Sequence, residues 1–539
     1  MRLYHYLFQI FLAAVLVAAA ASCAPTPETP DPGQITAETL ADGKRISVTL
    51  SAGATVDDVL NAAGLSLEGK DRVEPREGTI LMEDTQIQVI RVEEIIETKE
   101  EVIPYQVIRQ PTENLPIGEE QLLQAGKNGL REIAYVRTLE NEQEVSYREV
   151  NNVIIEQAVD EIILVGVRSS SSPVAIPGRL VYISNGNAWM MEQSSSNRTL
   201  LVSTGDLDGR VFSLSPDGDW LLFTRADEDE EVINTLWAAK IDPPGEGLVD
   251  LKVENIIHFA DWVPDDEQSV AYSTVEPRVS APGWQANNNL IVRKFSESGW
   301  SVVSYQVLET GYIGVYGWWG TEFQYPPNGE YVAYASPDQV GIVDVASGEM
   351  VPYLEMAPYR TTGDWAWMSG LGVGPLGNII YAVEHVPEDG QEGTAAAEES
   401  PKFDLTAISI TAGISTRILE DVGMFAYPLP SPMQGKASGE SSFQVAFLQA
   451  IFPEQSANSR YRVAIIDRDG SNPREVFPPA EKPGLQPLRG WGAWSPAAGE
   501  DQGGHQLAVL YEGNIWFLDP LSGESRQVTG DGRVQRLDW

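Results

Sequence analysis

The chain has 539 residues, 42% of them hydrophobic, which is enough to build roughly two to four packed domains. Its 78 acidic residues outnumber its 36 basic residues and give a net charge of −42, which opposes binding to nucleic acid. With one cysteine and four histidines, the chain can form no internal disulfide and offers no His–Cys cluster at metal-ligand spacing. We therefore expect no metal and no other cofactor.

The N-terminus predicts export and lipidation. An almost uninterrupted apolar run over residues 7–21 is shorter than the about 20 residues that a membrane span needs. It ends in the sequence AASC, which resembles the lipobox of bacterial lipoproteins and implies diacylation of the Cys23 thiol and cleavage just before it. We expect a signal peptide over residues 1–22, a tether over residues 23–34, and an extracytoplasmic chain held at the cell membrane by lipid. A cleaved signal peptide with an incidental cysteine is the alternative.

Residues 35–92 predict a small β-grasp module. Residues 44–50 alternate as a strand does, residues 55–62 carry apolar positions at helical spacing, and residues 80–92 close the unit with two strands. The pattern resembles the ubiquitin-like module that precedes a G-five domain in resuscitation-promoting factors and related Gram-positive surface proteins.

Residues 93–168 resemble a G-five domain over their whole length. The residues that carry the resemblance are Ile103-Pro104-Tyr105, Leu115-Pro116, Gly118, Gly126, Asn128, Gly129, Leu130 and Val165-Gly166. The resemblance implies a thin, extended β-sheet module that binds cell-wall glycan containing N-acetylglucosamine, such as peptidoglycan. We assign structural roles to Gly118, Gly126, Gly129 and Gly166, which either close turns or let backbones cross.

One hairpin of this module departs from the family pattern. Asn141-Glu142 stands where the family has Asn-Gly, and a tight two-residue turn needs φ > 0 at both central residues. Glu is strained in that conformation, so we expect a longer turn here.

Beyond a predicted linker over residues 169–177, residues 178–539 contain short strands rich in Trp, Gly, Pro and Asp. One unit recurs six times, with an aromatic residue, a turn and an apolar strand, which predicts the blades of a β-propeller. The copies cover residues 211–223, 259–272, 323–334, 371–383, 426–447 and 491–510. The region resembles the propeller of the Tol-system periplasmic protein and WD-like propellers.

The two ends of this region predict a seventh blade. It opens with three strand-like segments, residues 179–183, 188–191 and 199–202, that lack an inner strand before them. The chain closes with residues 534–539, VQRLDW, which fit the missing inner strand. Joined, the two ends complete one blade and hide its edge. A six-bladed ring is the alternative.

The sequence favours a protein without catalytic activity. It lacks the Gly-x-Ser-x-Gly elbow of propeller-bearing peptidases. In resuscitation-promoting factors a lysozyme-like transglycosylase domain accompanies the same N-terminal modules, and here the propeller takes its position. Residues 206–209 and 467–470 resemble the start of a calcium loop but lack the later ligands, so we expect turns there.

Four tryptophans are candidate ligand-binding residues at the propeller mouth, because exposed indole faces stack on sugars and peptides: Trp318, Trp319, Trp365 and Trp367. If residues 312–323 form a strand, Trp318 and Trp319 point to opposite faces and one of them is exposed. The alternative is that these side chains pack between blades, since Trp is usually largely buried.

Together these features predict a mainly β, membrane-anchored lipoprotein of the cell envelope. Its G-five domain binds cell-wall glycan, and its propeller is a binding platform for a ligand or for other envelope proteins. One alternative is a glycan-active hydrolase or lyase, which would show a carboxylate pair or a metal in the propeller channel. The other is a structural scaffold of an envelope complex.

Overall fold

The computed structural model describes residues 33–539 except 169–172, 230, 246, 267, 299, 362, 436–440 and 497–504. The predicted signal peptide and Cys23 lie outside the described residues. The chain divides into two compact units, one with the described residues up to Gln106 together with Gly126–Asp160, the other with Val107–Ala125 and Glu161–Trp539. No helix in the described part is long and apolar enough to cross a membrane.

The N-terminal module is a four-stranded sheet with one helix, as the β-grasp pattern predicts. Its strand order is β2-β1-β4-β3, with β1 parallel to β4. The elements are β1 (Gln34–Ala41), β2 (Lys44–Ser51), α1 (Val56–Ala62), β3 (Arg72–Glu74) and β4 (Thr85–Ile90). A reciprocal cap starts the short helix: the Thr55 hydroxyl accepts the Asp58 amide at 3.2 Å, and the Asp58 carboxylate accepts the Thr55 amide at 2.8 Å. The helix buries Val56, Val59 and Leu60 in the module core.

The next module consists of two three-stranded sheets. Its strands are β5 (Val92–Ile103), β6 (Val107–Pro116), β7 (Glu120–Gln124), β8 (Gly129–Glu140), β9 (Gln143–Glu156) and β10 (Glu161–Arg168). The sheet β5-β8-β9 belongs to the first compact unit, whereas β6-β10-β7 belongs to the second. The second sheet therefore folds with the C-terminal region.

The hairpin between β8 and β9 is tighter than expected, so the prediction of a longer turn is wrong. Glu140 pairs with Gln143, which leaves Asn141 and Glu142 as a two-residue turn with φ of 48° and 67°. The turn is fastened to Arg91, whose amide donates to Asn141 Oδ1 at 3.0 Å and whose carbonyl accepts the Asn141 amide at 2.9 Å. These bonds and the long ladder between β5 and β8 outweigh the strain at one Glu.

Replacing the strained residue should stabilise the first unit. Glu142→Gly removes the cost of a left-handed Glu, and we expect the free energy of unfolding to rise by about 0.5–1 kcal/mol. Gln143→Gly is the matched control, because Gln143 lies in extended β9, where glycine weakens a strand by a similar amount. Urea unfolding curves measure both. A Glu142→Gly variant no more stable than the parent would show that the turn carries no strain.

Seven sheets follow within the described parts of residues 173–539, and they are the blades of a β-propeller. The first contains β11 (Ala175–Ser184) and β12 (Asn187–Val202), and the other six each have four strands, with two short two-stranded hairpins added. The remaining strands are β13 (Leu207–Leu214), β14 (Trp220–Ala226), β15 (Asn234–Lys240), β16 (Leu248–Glu254), β17 (Ala260–Trp262), β18 (Ser269–Tyr272), β19 (Val275–Pro277), β20 (Trp284–Ala286), β21 (Leu290–Phe295), β22 (Ser301–Leu308), β23 (Glu322–Gln324), β24 (Val332–Ala335), β25 (Gln339–Val343), β26 (Met350–Glu355), β27 (Leu371–Val373), β28 (Ile379–Val386), β29 (Lys402–Ser409), β30 (Ile414–Leu419), β31 (Leu429–Pro430), β32 (Gln434–Gly435), β33 (Ser441–Ser442), β34 (Gln444–Ala450), β35 (Tyr461–Asp467), β36 (Arg474–Phe477), β37 (Gly492–Trp494), β38 (Leu507–Tyr511), β39 (Asn514–Leu518), β40 (Ser525–Gln527) and β41 (Val534–Asp538).

The repeats predicted from sequence fall on the first two paired strands of the six four-stranded sheets. The C-terminal strand β41 pairs with β11, with Tyr182 opposite Leu537, which confirms the predicted closure and a seventh blade. The closing sheet has three strands, because the predicted segments 188–191 and 199–202 lie in one continuous β12. The first strand also begins earlier than the predicted boundary at residue 178, since Ala175 already pairs with Ser194.

An Asp-Trp pair ends the innermost strand of two sheets and links each to β13. The Asp261 carboxylate accepts the Trp262 amide at 2.8 Å and the Ser213 hydroxyl at 2.7 Å. The Asp538 carboxylate accepts the Trp539 amide at 2.9 Å and the Leu214 amide at 2.7 Å. Buried carboxylates need such partners, so these bonds fix the spacing of neighbouring blades.

Candidate functional site

The innermost strands of the propeller surround a cavity of about 550 Å³. Every one of the seven sheets contributes to its lining from its innermost strand or from the residues just before that strand. The contributing side chains include Arg210, His258, Asp261, Glu322, Trp367, Tyr427, Arg489 and Arg536. A volume in this range is typical of sites for small ligands.

A charged network crosses one side of the cavity. Glu322 forms an ion pair with Arg489 and a hydrogen bond with His258, whose Nδ1 lies 3.1 Å from Glu322 Oε1. The other ring nitrogen of His258 lies 2.7 Å from the Trp319 carbonyl oxygen. Burial alone would raise the pKa of the Glu322 carboxyl, but Arg489 and His258 outweigh burial and hold it below its usual range. Glu322 is therefore an ionised, fully partnered carboxylate.

Two glycines leave room for these charged side chains. A Cβ on Gly320, where φ is +144°, would come within 2.3 Å of the His258 ring. A Cβ on Gly490, where φ is +66°, would come within 2.4 Å of the Arg536 guanidinium. Any larger residue would displace His258 or Arg536, so the loops before β23 and β37 are shaped around the cavity.

Arg536 is a charged group of the lining with an unpaired buried donor. One of its terminal nitrogens donates to the Arg489 carbonyl oxygen, while its Nε is buried without a hydrogen-bond partner. Burial lowers the pKa of its guanidinium, and the neighbouring Arg489 charge acts in the same direction, whereas the Asp538 and Glu322 charges oppose this shift. No carboxylate of the described residues lies within the 4.0 Å ion-pair distance of Arg536. Its position makes it receptive to an added anion.

Asp261 is the second carboxylate of the lining. Burial raises its pKa to about 6, and the nearby Asp538 charge acts in the same direction. The bonds from Ser213 and Trp262 act against this shift. Asp261 and Glu322 thus differ in pKa although both carboxylates border one cavity.

Aromatic rings lie next to His258, whose ring is 5.9 Å from the Trp319 ring and 6.3 Å from the Trp284 ring. The rings of Trp284 and Trp319 lie 5.2 Å apart at an angle of 44°, and the Arg210 guanidinium lies 5.9 Å from the Trp284 ring. The Arg489 guanidinium lies 5.6 Å from the Tyr427 ring. The cavity therefore presents flat apolar faces beside positive charge.

The structure places three of the four predicted tryptophans, Trp319, Trp365 and Trp367, in the lining. Trp318 is outside it and packs edge-on against Trp319 at 5.8 Å. Trp367 is 1% exposed and donates its indole N–H to the Met424 carbonyl oxygen at 2.8 Å, as expected for packing between blades. Their role in ligand binding remains a prediction.

Residues 312–321 do not form a strand, so the expectation that Trp318 and Trp319 point to opposite faces of a strand does not apply. The run turns before β23, with the Trp319 amide donating to the Tyr316 carbonyl oxygen at 2.9 Å. Gly314 and Tyr316 have φ of +65° and +59°, which break an extended backbone.

Three of the four singled-out glycines allow close backbone or ring approach. A Cβ on Gly126 would lie 2.4 Å from the Tyr105 ring, and one on Gly129 would lie 2.5 Å from the Glu156 carbonyl oxygen. A Cβ on Gly166 would lie 1.8 Å from the Pro116 carbonyl oxygen. Gly118 has open space around it but a φ of +87°, which suits a turn.

The sheet β5-β8-β9 carries a second surface that suits a ligand. Tyr135 and Tyr147 stack face to face at 4.9 Å, and the Lys99 ammonium lies 5.4 and 5.5 Å from their ring centres. Tyr147 is 39% exposed, and the Arg137 guanidinium also lies 5.5 Å from its ring centre.

The two segments that resemble the start of a calcium loop, residues 206–209 and 467–470, make contacts within the propeller. Asp206 forms an ion pair with Arg225 at 2.8 Å, and Asp469 accepts the Ser471 hydroxyl at 2.6 Å. In the part of the chain that the structure describes, no group of three or more His, Cys, Asp or Glu side chains is arranged to hold a metal ion.

Known proteins match the N-terminal third of the chain most clearly. Residues 94–168 match the family model of the G5 domain, and residues 40–76 match that of the G5-linked ubiquitin-like domain. Resuscitation-promoting factor RpfB of Mycolicibacterium smegmatis is 27% identical over 168 residues, which are 31% of this chain and 44% of that protein. The chain thus spans less than half of this relative.

Two solved structures illustrate the structural likenesses. The G5 domain of IgA1 protease is 24% identical and covers 15% of this chain and 94% of its own, with a TM-score of 0.13. The putative TolB from Agrobacterium tumefaciens is 15% identical and covers 56% of this chain and 90% of its own, with a TM-score of 0.31. The chain therefore carries a G5-linked ubiquitin-like domain and a G5 domain, followed by a seven-bladed β-propeller.

Proposed function

We propose that this protein is a non-catalytic, lipid-anchored component of the cell envelope that binds cell-wall glycan through its G5 domain and presents the propeller as a binding platform. The observation that carries the proposal is the G5 match over residues 94–168, directly after the ubiquitin-like match and before a propeller. Such a chain places a glycan-binding module and a second binding module in one polypeptide.

The stacked tyrosines supply a glycan-binding surface of suitable chemistry. Aromatic faces pack against the C–H faces of sugar rings, and the Lys99 ammonium beside Tyr135 and Tyr147 can donate hydrogen bonds to hydroxyl or amide oxygens. In the proposed function this surface holds the glycan strand.

The second G5 sheet is fastened to the propeller, which supports a joint role for the two. The Asn114 side-chain oxygen accepts the Tyr182 hydroxyl at 2.6 Å and the Arg198 guanidinium at 3.0 Å. The Glu113 carboxylate accepts the Gly530 amide at 2.6 Å, and Leu164, which is 2% exposed, joins the core cluster of the first blade. A fragment ending at residue 168 would expose Leu164, so glycan binding is best tested on residues 24–539.

Pelleting with purified peptidoglycan tests the glycan role. Residues 24–539 should sediment with the polymer, and excess N-acetylglucosamine oligomers should reduce the sedimented fraction. Tyr147→Ala should weaken binding about 2–10-fold, from the about 0.5–1.5 kcal/mol of one aromatic contact. Val150→Ala, an exposed position on the same β9 strand, should bind as the parent does. A well-folded chain that never sediments would favour the scaffold interpretation.

The anchor is tested separately through Cys23. Cys23→Ser removes the only thiol of the chain, and we expect it to abolish lipid labelling and to release the protein from the membrane fraction. Ser22→Ala keeps a small residue before the cysteine and should leave labelling intact. Labelling that persists in Cys23→Ser would contradict the lipobox assignment.

A second candidate function rests on the two cavity carboxylates. Carboxyl groups whose environments separate their pKa values are the usual acid and base of glycan hydrolysis, and here Asp261 is raised while Glu322 is lowered. Asp538 also accepts a blade-linking bond from β13, from the Leu214 amide where Asp261 accepts the Ser213 hydroxyl. Such a structural bond alone explains the position of Asp261. Release of reducing ends from peptidoglycan by the parent but not by Glu322→Gln would establish the enzyme.

A further inference from the structure

We propose that the propeller cavity binds a carboxylated sugar, with the ring against Trp284 and Trp319 and the carboxylate at Arg536. This inference rests on the proposed role of the propeller as a binding platform and names the ligand class of that platform.

The charge balance of the cavity lining differs from that of the chain as a whole. Three arginines and two carboxylates line it, whereas the chain as a whole has a net charge of −42. Glu322 is already paired with Arg489. Arg210 and Arg536 have no carboxylate of the described residues within the 4.0 Å ion-pair distance. The lining therefore carries one positive charge in excess, with Asp538 close to Arg536 but outside the lining. An excess positive charge within an acidic protein attracts anions.

The hydrogen-bonding state of Arg536 points to an anion with two oxygens. Its Nε is buried without a partner, and an unpaired buried donor costs about 1–3 kcal/mol, more for a charged group. The neighbouring Arg489 charge adds to that cost, while the Asp538 and Glu322 charges reduce it. A carboxylate matches the planar fork of a guanidinium and satisfies both needs at once.

The aromatic residues of the lining suit the ring of the ligand. Trp284 and Trp319 present neighbouring ring faces, and the Arg210 guanidinium lies over Trp284, where it can reach a polar group on a stacked ring. The about 550 Å³ of space suits a small ring-containing ligand. A pyranose with a carboxylate fits these features, whereas a neutral sugar leaves Arg536 unpaired. Two sources share this chemistry, a uronic acid and the lactyl ether of muramic acid.

Binding is measured on the full-length protein in detergent by quenching of tryptophan fluorescence. N-acetylmuramic acid and glucuronic acid are titrated separately, which distinguishes the two sources, with N-acetylglucosamine and inorganic phosphate as comparison ligands. We expect saturable quenching by at least one carboxylated sugar and at least about tenfold weaker binding of N-acetylglucosamine. Equal binding of the neutral sugar, or binding of phosphate alone, would overturn the proposal.

Variants on two different blades are used, so that misfolding of one variant does not decide the outcome. Arg536→Lys keeps the charge but loses the planar fork, so we expect about tenfold weaker binding, and Arg536→Gln should lose binding. Trp319→Ala leaves β41 untouched and should also weaken binding. Arg533→Gln is the matched control, because Arg533 lies just before the same strand and outside the cavity lining, and should bind as the parent does. Unchanged affinity in both Arg536→Gln and Trp319→Ala would sink the proposal.

The glycan-binding role of the G5 domain and the cavity ligand are tested by different measurements. Arg536→Gln should still sediment with peptidoglycan through the G5 domain. Sedimentation without any binding of carboxylated sugars would overturn the cavity ligand and leave the G5 role standing. A parent protein that does not sediment with peptidoglycan but binds carboxylated sugars would overturn the G5 role and leave the cavity ligand standing.

Discussion

A chain ending at Arg533 loses most of the stability of its propeller. The deletion removes β41, whose Leu537 is 3% exposed and whose Val534 is 5% exposed in the core shared with β11. Emptying a buried leucine site costs about 2–5 kcal/mol, and loss of the β11 pairing exposes a strand edge. Against a typical domain stability of about 5–15 kcal/mol, we expect the propeller transition to fall sharply or to disappear in a thermal melt.

The last residue carries a measurable part of this effect. The Trp539 ring stacks on Phe517 at 4.7 Å, and its indole N–H donates to the Pro177 carbonyl oxygen at 2.6 Å. Trp539→Ala should therefore lower the free energy of unfolding by about 3 kcal/mol. Trp300→Ala is the control, because Trp300 is 78% exposed and its removal should change stability by less than about 0.5 kcal/mol. Equal melting temperatures for the parent and the truncated chain would show that the stability of the propeller does not depend on β41.

The sequence predicts the closing strand because its signal is local. The residues Leu537-Asp538-Trp539 repeat the Ala260-Asp261-Trp262 pattern, and the first blade lacks an inner strand of its own. The six other blades are predictable for the same reason, since each pairs an aromatic strand end with a turn and an apolar strand. A repeated motif remains visible even when the spacing between copies varies.

The charged cavity is not predictable in this way. Its groups lie on different blades, with Arg210, Glu322 and Arg489 separated by more than a hundred residues at each step, and each stands alone in its own segment. Only the closed arrangement of the seven blades brings these side chains together. Sequence reasoning selected tryptophans because aromatic residues are conspicuous, and it missed arginines that look like ordinary surface residues. The one available signal was glycine beside the charged side chains, as in Arg489-Gly490.

The Asn141-Glu142 turn shows a different limit. Local preference favours a longer loop, because Glu is costly at positive φ. The outcome is decided by the bonds to Arg91, a residue 50 positions away in sequence from Asn141. A preference of about 1 kcal/mol gives way when several hydrogen bonds depend on the tight turn.

Gly166→Ala should damage the junction between the G5 domain and the propeller. The added Cβ would lie 1.8 Å from the Pro116 carbonyl oxygen and 2.9 Å from that of Leu115, both backbone atoms that cannot rotate away. Accommodating it moves the end of β6 away from β10, where Leu115 and Leu164 pack against the first blade. We expect the free energy of unfolding of the second unit to fall by about 3 kcal/mol or more.

Two other glycines separate this clash from conformational strain. Gly118→Ala meets no atom within 4 Å but must hold a φ of +87°, so it should cost about 1 kcal/mol. Gly78→Ala has neither problem and should change stability by less than about 0.5 kcal/mol. Guanidinium unfolding of the three variants in the full chain ranks them, with the midpoint shift largest for Gly166→Ala. If Gly166→Ala costs no more than Gly118→Ala, β6 and β10 do not approach as closely as the 1.8 Å contact requires.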